Sequence, residues 1–325
     1  MTLVATPESQ LSPLSGLYET FHAFRLLSGL EPDLPAAPFA AQIVAPRAAP
    51  AHAATGLPLI AHRTFDEVES TDIAIVPLMA VEGPGWETGR YPELVDWLRG
   101  LHAAGATLCS ACTGVLLLAE TGLLDGREAT IHWAFAQTFE RSFPRVRLRC
   151  EEVLVTAGDR EELVMTGGVT SWHDLALFLI ARHVGPTAAR AMARLLMLEW
   201  HGEGQAPYRS FIPRRDHDDG AVLDLQEWLA AHLATAQPVE AMADRSGLPR
   251  RTLERRFRRA TGCSPIAYVQ NLRVAEARRR LERTDEAVEE IAHAVGYENV
   301  AFFRRLFQRR TRLTPGAYRR KFSLP

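Results

Sequence analysis

The sequence predicts two unlike domains: an α/β domain on a parallel sheet over residues 1–201, and an all-α domain with two helix-turn-helix units over residues 221–325. Three observations lead there. Short apolar, strand-like runs alternate with helix-like segments through the first part of the chain, the order that builds a parallel sheet with helices on both faces. Strand signals stop after residue 220 and helical periodicity takes over. Inside that helical block one helix, turn, helix pattern occurs twice.

Bulk composition frames this division. The 325 residues exceed the usual size of a single domain. An apolar share of 47% with 23% charged residues is ordinary for a globular chain. No apolar run approaches the ~18–20 residues needed to span a bilayer, so no membrane association is expected. The start lacks a basic flank followed by an apolar core, so no signal peptide is expected either. The 4 cysteines, Cys109, Cys112, Cys150 and Cys263, lack the spacing of a disulfide scaffold, and a reduced cytoplasm fits them. No cluster has metal-ligand spacing and no cofactor is expected.

The net charge of −2 conceals an asymmetry. Residues 1–220 carry 17 basic and 27 acidic side chains, a net of −10, whereas residues 221–325 carry 20 and 12, a net of +8. A basic block beside an acidic one points to a nucleic-acid module joined to something else. All but Lys321 of those 20 are arginines, the residue suited to bidentate contact with phosphate and guanine.

Within the first domain, residues 3–5, 73–76, 107–110, 153–155 and 163–165 read as buried strands, and 91–104, 114–121 and 172–183 as helices. Residues 202–220 (GEGQAPYRSFIPRRDHDDG) are polar and rich in Gly, Pro and charge, and read as a linker.

The repeat runs from Val239 to Pro265 and again from Val288 to Pro315. Val239, Met242, Ala243 and Gly247 match Val288, Ile291, Ala292 and Gly296; after a one-residue insertion, Leu253, Arg255, Phe257 and Thr261 match Phe303, Arg305, Phe307 and Thr311. Val288, Ile291, Ala292 and Val295 share one helical face, and Gly296 supplies the left-handed turn after it. Leu253 and Phe257 point inward, which leaves Arg250, Arg251, Glu254, Arg255 and Arg258 outward. In a helix-turn-helix the start of the second helix enters the major groove, where Arg grips guanine and Glu accepts from cytosine. The second copy offers Asn299, Arg304 and Arg305. Residues 264–283 read as one long helix with Tyr268, Leu272, Ala275 and Leu281 inward, a rigid spacer holding two recognition helices about one DNA turn apart, roughly 34 Å. The competing reading of the basic block is a solvated face, or a nucleoid-like binder with little sequence preference.

On these residues, with the stretch FRRATGCSPIAY from Phe257, I-A-x-x-V-G-Y from Ile291 and T-P-x-x-Y ending at Tyr318, the block resembles the AraC/XylS family of regulators. The family pattern places Gly after the Thr in both copies; here Gly262 is followed in the second copy by Arg312. The resemblance implies double-stranded DNA as partner, with RNA polymerase as a further one.

In the first domain, Thr107 to Glu120 reads as strand, sharp turn, helix, with Cys112 on the turn: the layout of a nucleophile elbow, at a helix N-terminus that lowers a thiol pKa. Cys109 and Cys112 also form a C-x-x-C, which on an extended strand places the two thiols on opposite faces. The stretches GLYETF from Gly16, ACTGVLLLAETGLLDGREATIHW from Ala111 and TGGVTSWHDLALFLI from Thr166 resemble the class I glutamine amidotransferase-like superfamily, specifically the PfpI-like domain of GlxA-type regulators. That resemblance implies a flavodoxin-like sheet and a sensor that kept the elbow without its chemistry, since Thr113 stands where active relatives place His. It also implies a small nitrogenous effector such as an amino acid or quaternary amine, and the acidic first domain is expected to form a homodimer. The candidate pocket is Glu19, Cys112, Thr113, His132, Trp133, Ser171, Trp172, His173 and Asp174, near the strand C-terminal edge where open α/β sheets bind ligands. Other readings stay open. His132, Trp133 and Trp172 also suit a core, and Ser171 or Asp174 a helix cap. Cys112 also suits a cysteine-dependent amidase or deglycase tethered to DNA.

Overall fold

The computed structural model describes residues 1–46, 51–81 and 85–323. The chain forms two compact units, Met1–Gln205 and Ala206–Pro325.

The first unit contains, in chain order, β1 (Thr2–Val4), α1 (Leu11–His22), α2 (Phe24–Leu30), β2 (Gln42–Ala45), β3 (Ala51–His52), β4 (Pro58–Leu59), β5 (Arg63–Thr64), β6 (Ile73–Val76), α3 (Pro92–Ala103), β7 (Thr107–Ala111), α4 (Gly114–Glu120), β8 (Glu128–Ala129), α5 (Ala136–Ser142), β9 (Arg147–Leu148), β10 (Leu154–Ala157), β11 (Leu163–Thr166), α6 (Trp172–His183) and α7 (Pro186–Leu196). A seven-stranded sheet runs β10-β11-β7-β6-β1-β2-β5. Its strands are parallel except for the edge pair β10 and β11. The sequence reading of a parallel sheet misses this antiparallel edge. Only a tight turn joins the two strands, with Gly158 and Glu161 both at positive φ, and so short a connection permits only antiparallel pairing.

Side-chain alternation explains why the sheet is buried on both faces. Ala74 and Val76 pack with Leu98 and Leu116 on one side, while Ile73 and Ile75 pack with Leu17, Phe21 and Leu179 on the other. The strand signals at 3–5, 107–110, 153–155 and 163–165 fall within a residue or two of the observed elements.

The second unit is α8 (Gly220–Ala231), α9 (Pro238–Ser246), α10 (Arg250–Thr261), α11 (Pro265–Arg283), α12 (Val288–Ala294), α13 (Val300–Thr311) and α14 (Pro315–Phe322). It has two small cores. Met242, Leu253, Phe257 and Tyr268 form one, and Ile291, Phe303, Phe307 and Tyr318 the other. The long α11 serves both, Tyr268 and Val269 facing the first core and Val274, Ala277 and Leu281 the second. Here the inward face differs from the sequence reading: Leu272 and Ala275 are only half-buried, and Arg273 is buried in their place.

The boundary between the two units falls inside residues 202–220, and both ends of this segment are held by side-chain hydrogen bonds. Gln205, 3% exposed, gives its carboxamide to the first unit, donating to Ile131 O (2.9 Å) and Thr130 Oγ1 (3.2 Å) and accepting from the Trp133 amide (3.0 Å). From the second unit, Arg278 donates to the carbonyls of Ala206 and Arg209, and Asp219 caps α8 through the Val222 amide. Most charged side chains of the segment stay exposed, whereas Gln205 and Asp219 are spent on partners in the fold.

Candidate functional site

Two regions collect the singled-out residues. In the second unit, α10 and α13 are the second helices of their helix-turn-helix pairs. A left-handed Gly247 (φ 64) closes α9 and a left-handed Gly296 (φ 85) follows α12, and both recognition helices bury one stripe, Leu253, Phe257 and Ala260 in α10 and Phe303, Leu306 and Phe307 in α13.

Arg251, Arg255 and Arg258 stand exposed on α10 and make no ion pair among the described residues. Arg250 and Glu254 are exposed too, but Arg250 pairs with Glu254 (3.2 Å) and with Glu240 of the preceding helix (3.0 Å). On α13, Arg305 is exposed, Arg304 pairs with Glu289, and Asn299 is the N-cap, its Oδ1 accepting from the Phe302 amide at 2.8 Å. The outward group of the second helix is thus narrower than the triplet read from the sequence, because capping and a cross-helix ion pair occupy two of its members.

Sequence reasoning missed the residues that hold this surface together. Arg256 clamps Asp219 through two nitrogens (2.9 and 2.6 Å), which fastens α10 to the start of α8 and holds the Asp219 carboxyl below its usual range. Asp219 carries a legible signal, an Asp before an apolar run. Arg273, 5% exposed, donates to the carbonyls of Leu233, Thr235 and Gly296 and lies over the Tyr297 ring at 4.9 Å, bridging the two helix-turn-helix units. Nothing in a helical Arg-rich run separates it from its neighbours.

In the first unit the chain turns sharply between β7 and α4. Cys112 adopts a left-handed φ of 54, costly for a non-glycine residue. Gly114 is required behind it, since a Cβ there would stand 2.2 Å from the Val76 carbonyl oxygen. The Cys112 thiol is buried and faces the backbone amides of Thr113, Gly168 and His132. Burial outweighs those donors and pushes the thiol up to about 11, the reverse of the lowered value a helix start suggests. Cys109, on the strand and fully buried, and Cys112 are both free thiols. Residues 109–111 are all strand, so no helix start lies between the two cysteines.

The candidate residues divide around this turn. Thr113 is buried, its hydroxyl donating to the Met79 carbonyl and accepting from the Met79 amide. His132 is half-buried; desolvation lowers its pKa, and its Nδ1 accepts from the Ala134 amide at 3.1 Å, which places the proton of the neutral ring on Nε2. Trp133 lies beside it, ring centroids 5.2 Å apart. The Ser171 hydroxyl donates to Gly168 O at 2.7 Å, joining this loop to the Cys112 neighbourhood without capping α6. Trp172 covers Gly16, where a Cβ would meet its ring at 2.3 Å, and lies against His173 at 3.7 Å between centroids. Two residues depart from the pocket reading. Glu19 is exposed on α1 rather than turned inward with Leu14 and Leu17, and Asp174, fully buried, neither caps its helix nor lies open. It accepts from the His201 amide (2.9 Å) and pairs with the His201 ring (2.7 Å). A cavity of about 770 Å³ lies at the opposite, N-terminal edge of the strands, lined by Met1, Phe21, Arg25, Phe39 and Asp72, none of them a candidate.

A doubly wound sheet with a buried elbow cysteine, followed by two helix-turn-helix units sharing one long helix, defines a class: a flavodoxin-like domain joined to a DNA reader. Comparison with known proteins narrows it. Residues 242–321 match the helix-turn-helix domain family and residues 16–158 the DJ-1/PfpI family. The chain is 30% identical over 239 residues to the HTH-type transcriptional regulator GlxA of Rhizobium meliloti (70% of this chain, 72% of that one). It is 31% identical over 235 residues to the HTH-type transcriptional regulator CdhR of Pseudomonas aeruginosa, of which it spans 66%. Among solved structures, the crystal structure of a protein from Vibrio parahaemolyticus described as a transcriptional regulator shares the fold, with TM-score 0.50 at 21% identity over 60% of this chain and 97% of that one. The chain belongs to the HTH-type transcriptional regulators that join a DJ-1/PfpI domain to an AraC-type helix-turn-helix domain, and it is a DNA-binding transcription regulator. Among the described residues, no helix is long and apolar enough to cross a membrane.

Proposed function

We propose that the protein binds paired operator half-sites as a homodimer in the cytoplasm and alters transcription when a small nitrogenous effector occupies the loops around His132 and Trp172. The observation that carries the DNA half of this reading is the trio Arg251, Arg255 and Arg258, exposed on the first recognition helix and free of ion pairs among the described residues. An unpaired outward Arg at this place is available for bidentate contact with guanine. Two half-buried tryptophans and two histidines near the strand C-terminal edge support an aromatic site for a cationic amine. Exposed Leu26, Leu30 and Met197, on or just after the packed helices α2 and α7, support a self-association face. Promoter output then follows from changed occupancy or polymerase contact.

The domain works by binding rather than by turnover. A nucleophile needs a thiolate, and the Cys112 thiol is buried and held protonated at neutral pH, while the His132 Nδ1 is engaged by a backbone amide. Selection from a random duplex pool at about 150 mM salt, comparing wild type with Arg255→Ala, tests the DNA reading. Paired half-sites that relax in the variant support it; no enrichment above background overturns it. Cys112→Ala separates binding from catalysis. Regulation persists in the variant if the thiol is vestigial, and loss of any measurable amidase turnover would instead favour the enzyme.

A further inference from the structure

The two recognition helices differ in chemistry at one equivalent outward step, Arg251 in the first and Ala301 in the second, and from this we infer that the second unit reads thymine methyl groups at the step where the first reads guanine. The inference rests on the reading that both helices enter the major groove, and adds which base each one recognises.

The equivalence comes from packing. Leu253 and Phe257 in α10 and Phe303 and Phe307 in α13 occupy the same helical steps, and all four are fully buried. Both helices are 12 residues long and both end in a left-handed residue, Gly262 and Arg312. With the buried stripes in register, Arg251 corresponds to Ala301 and Arg255 to Arg305. Ala301 and Arg305, an i,i+4 pair, point away from the core, as Arg251 and Arg255 do, and all four are exposed.

Two of the polar side chains at the start of α13 have partners within the fold. Asn299 uses its Oδ1 as a cap, and Arg304 is neutralised by Glu289. The Ala301 methyl, the Phe302 ring and the Arg305 guanidinium are exposed on the first turn and a half, beside the Asn299 cap and the Arg304–Glu289 pair. Phe302 is 39% exposed, yet its ring is held 5.8 Å from the Tyr297 ring, so its orientation is constrained. An Arg at the groove-facing step suits the O6 and N7 acceptors of guanine, whereas Ala and Phe side chains contact the C5 methyl of thymine. A lone exposed Phe is ordinary on a protein surface. Here it lies beside a methyl and beside Arg305, which makes no ion pair among the described residues, on a recognition helix of a block carrying net +8, which commits the occupant to duplex DNA rather than to another protein.

The test uses the full chain. Duplexes enriched by wild type from a random pool are resynthesised with single thymines replaced by deoxyuridine, which keeps the pairing and removes only the methyl. In parallel, Ala301→Arg is taken through the same selection, with its melting temperature checked against wild type. The expected result is a half-site in which one or two thymines are sensitive, each deoxyuridine weakening binding about fourfold. In that half-site Ala301→Arg should exchange a T·A for a G·C preference by about tenfold or more, while the other half-site is unchanged. If deoxyuridine is tolerated at every position and Ala301→Arg enriches the wild-type sequence, the inference falls while base reading by the protein stands. If wild type enriches no sequence at all, the groove-entry reading and this inference fall together.

Discussion

Arg273 donates from Nη1 to the carbonyl oxygen of Gly296 at 3.0 Å, and its Nη2 lies 2.8 Å from where a Cβ on residue 296 would stand. One buried side chain of α11 thereby fixes the turn of the second helix-turn-helix unit, and through Leu233 and Thr235 the segment that leads into the first. Arg273→Met removes the donor to three carbonyls at once and is expected to cost about 2–4 kcal/mol in urea unfolding. Arg273→Lys should recover little of this, because a point ammonium cannot reproduce the planar fork. Equal stability of wild type and Arg273→Met would show that the bridge is dispensable.

Arg312 closes α13 in the left-handed conformation at φ 58, where the first unit uses Gly262 at φ 79. A side chain costs about 1–2 kcal/mol there, partly offset because glycine loosens the unfolded chain. Arg312→Gly is expected to raise stability by about 0.5–1 kcal/mol, read as a higher denaturant midpoint at unchanged slope. A lower midpoint would mean that the Arg312 side chain contributes more than its backbone strain removes.

Burial sets the behaviour of Cys112. A thiol pushed up to about 11 binds its proton more tightly folded than unfolded, so the stability it contributes is present below the ordinary thiol range and is lost as pH rises from there toward 11. Alkylation at pH 8 should leave Cys112 largely unmodified, as read by peptide mass spectrometry after quenching and unfolding. Rapid modification at that pH would show a thiolate and reopen the catalytic reading.

The Arg256 clamp works in the other direction. The Asp219 carboxyl lies below its ordinary range, chiefly through its hydrogen bonds from Arg256, so its contribution is present above the usual Asp range and is lost as pH falls through the lowered value. Asp219→Ala should cost about 1 kcal/mol from the lost helix cap alone and should flatten the acid limb of the stability curve of residues 206–325. An unchanged acid limb would assign that limb to other carboxylates.

Gln205 offers a test of the segment read as a linker. With its amide groups spent on Trp133, Ile131 and Thr130, Gln205→Ala leaves buried backbone partners unsatisfied and is expected to destabilise the first unit by about 2–3 kcal/mol. Protease resistance of the chain around residue 205 should fall with it; unchanged cleavage would show that the segment is held by other means.

Much of this molecule is legible from local pattern. Alternating apolar runs placed β6 and β11, the i, i+3, i+4 spacing of Val288, Ile291 and Ala292 placed α12, and the repeat located both recognition helices, because periodicity reports which face an element buries. The same pattern is blind to pairing at a distance. Polar composition made residues 202–220 look unattached, whereas Gln205 is buried among backbone carbonyls and Asp219 is clamped by Arg256. Asp174 opens a helix in sequence yet serves His201 twenty-seven positions away, and the helix-start rule for Cys112 gave the wrong sign because desolvation depends on what covers the thiol. Five strands and three helices of the first unit, the repeat and the class of partner are legible in the residues, because each is set by neighbours along the chain, whereas α1, α2, α5 and α7 are not read from them. The tertiary structure decided which arginines face outward unpaired and which are consumed inside, because an ion pair or a buried carbonyl is chosen by residues that meet only when the chain has folded.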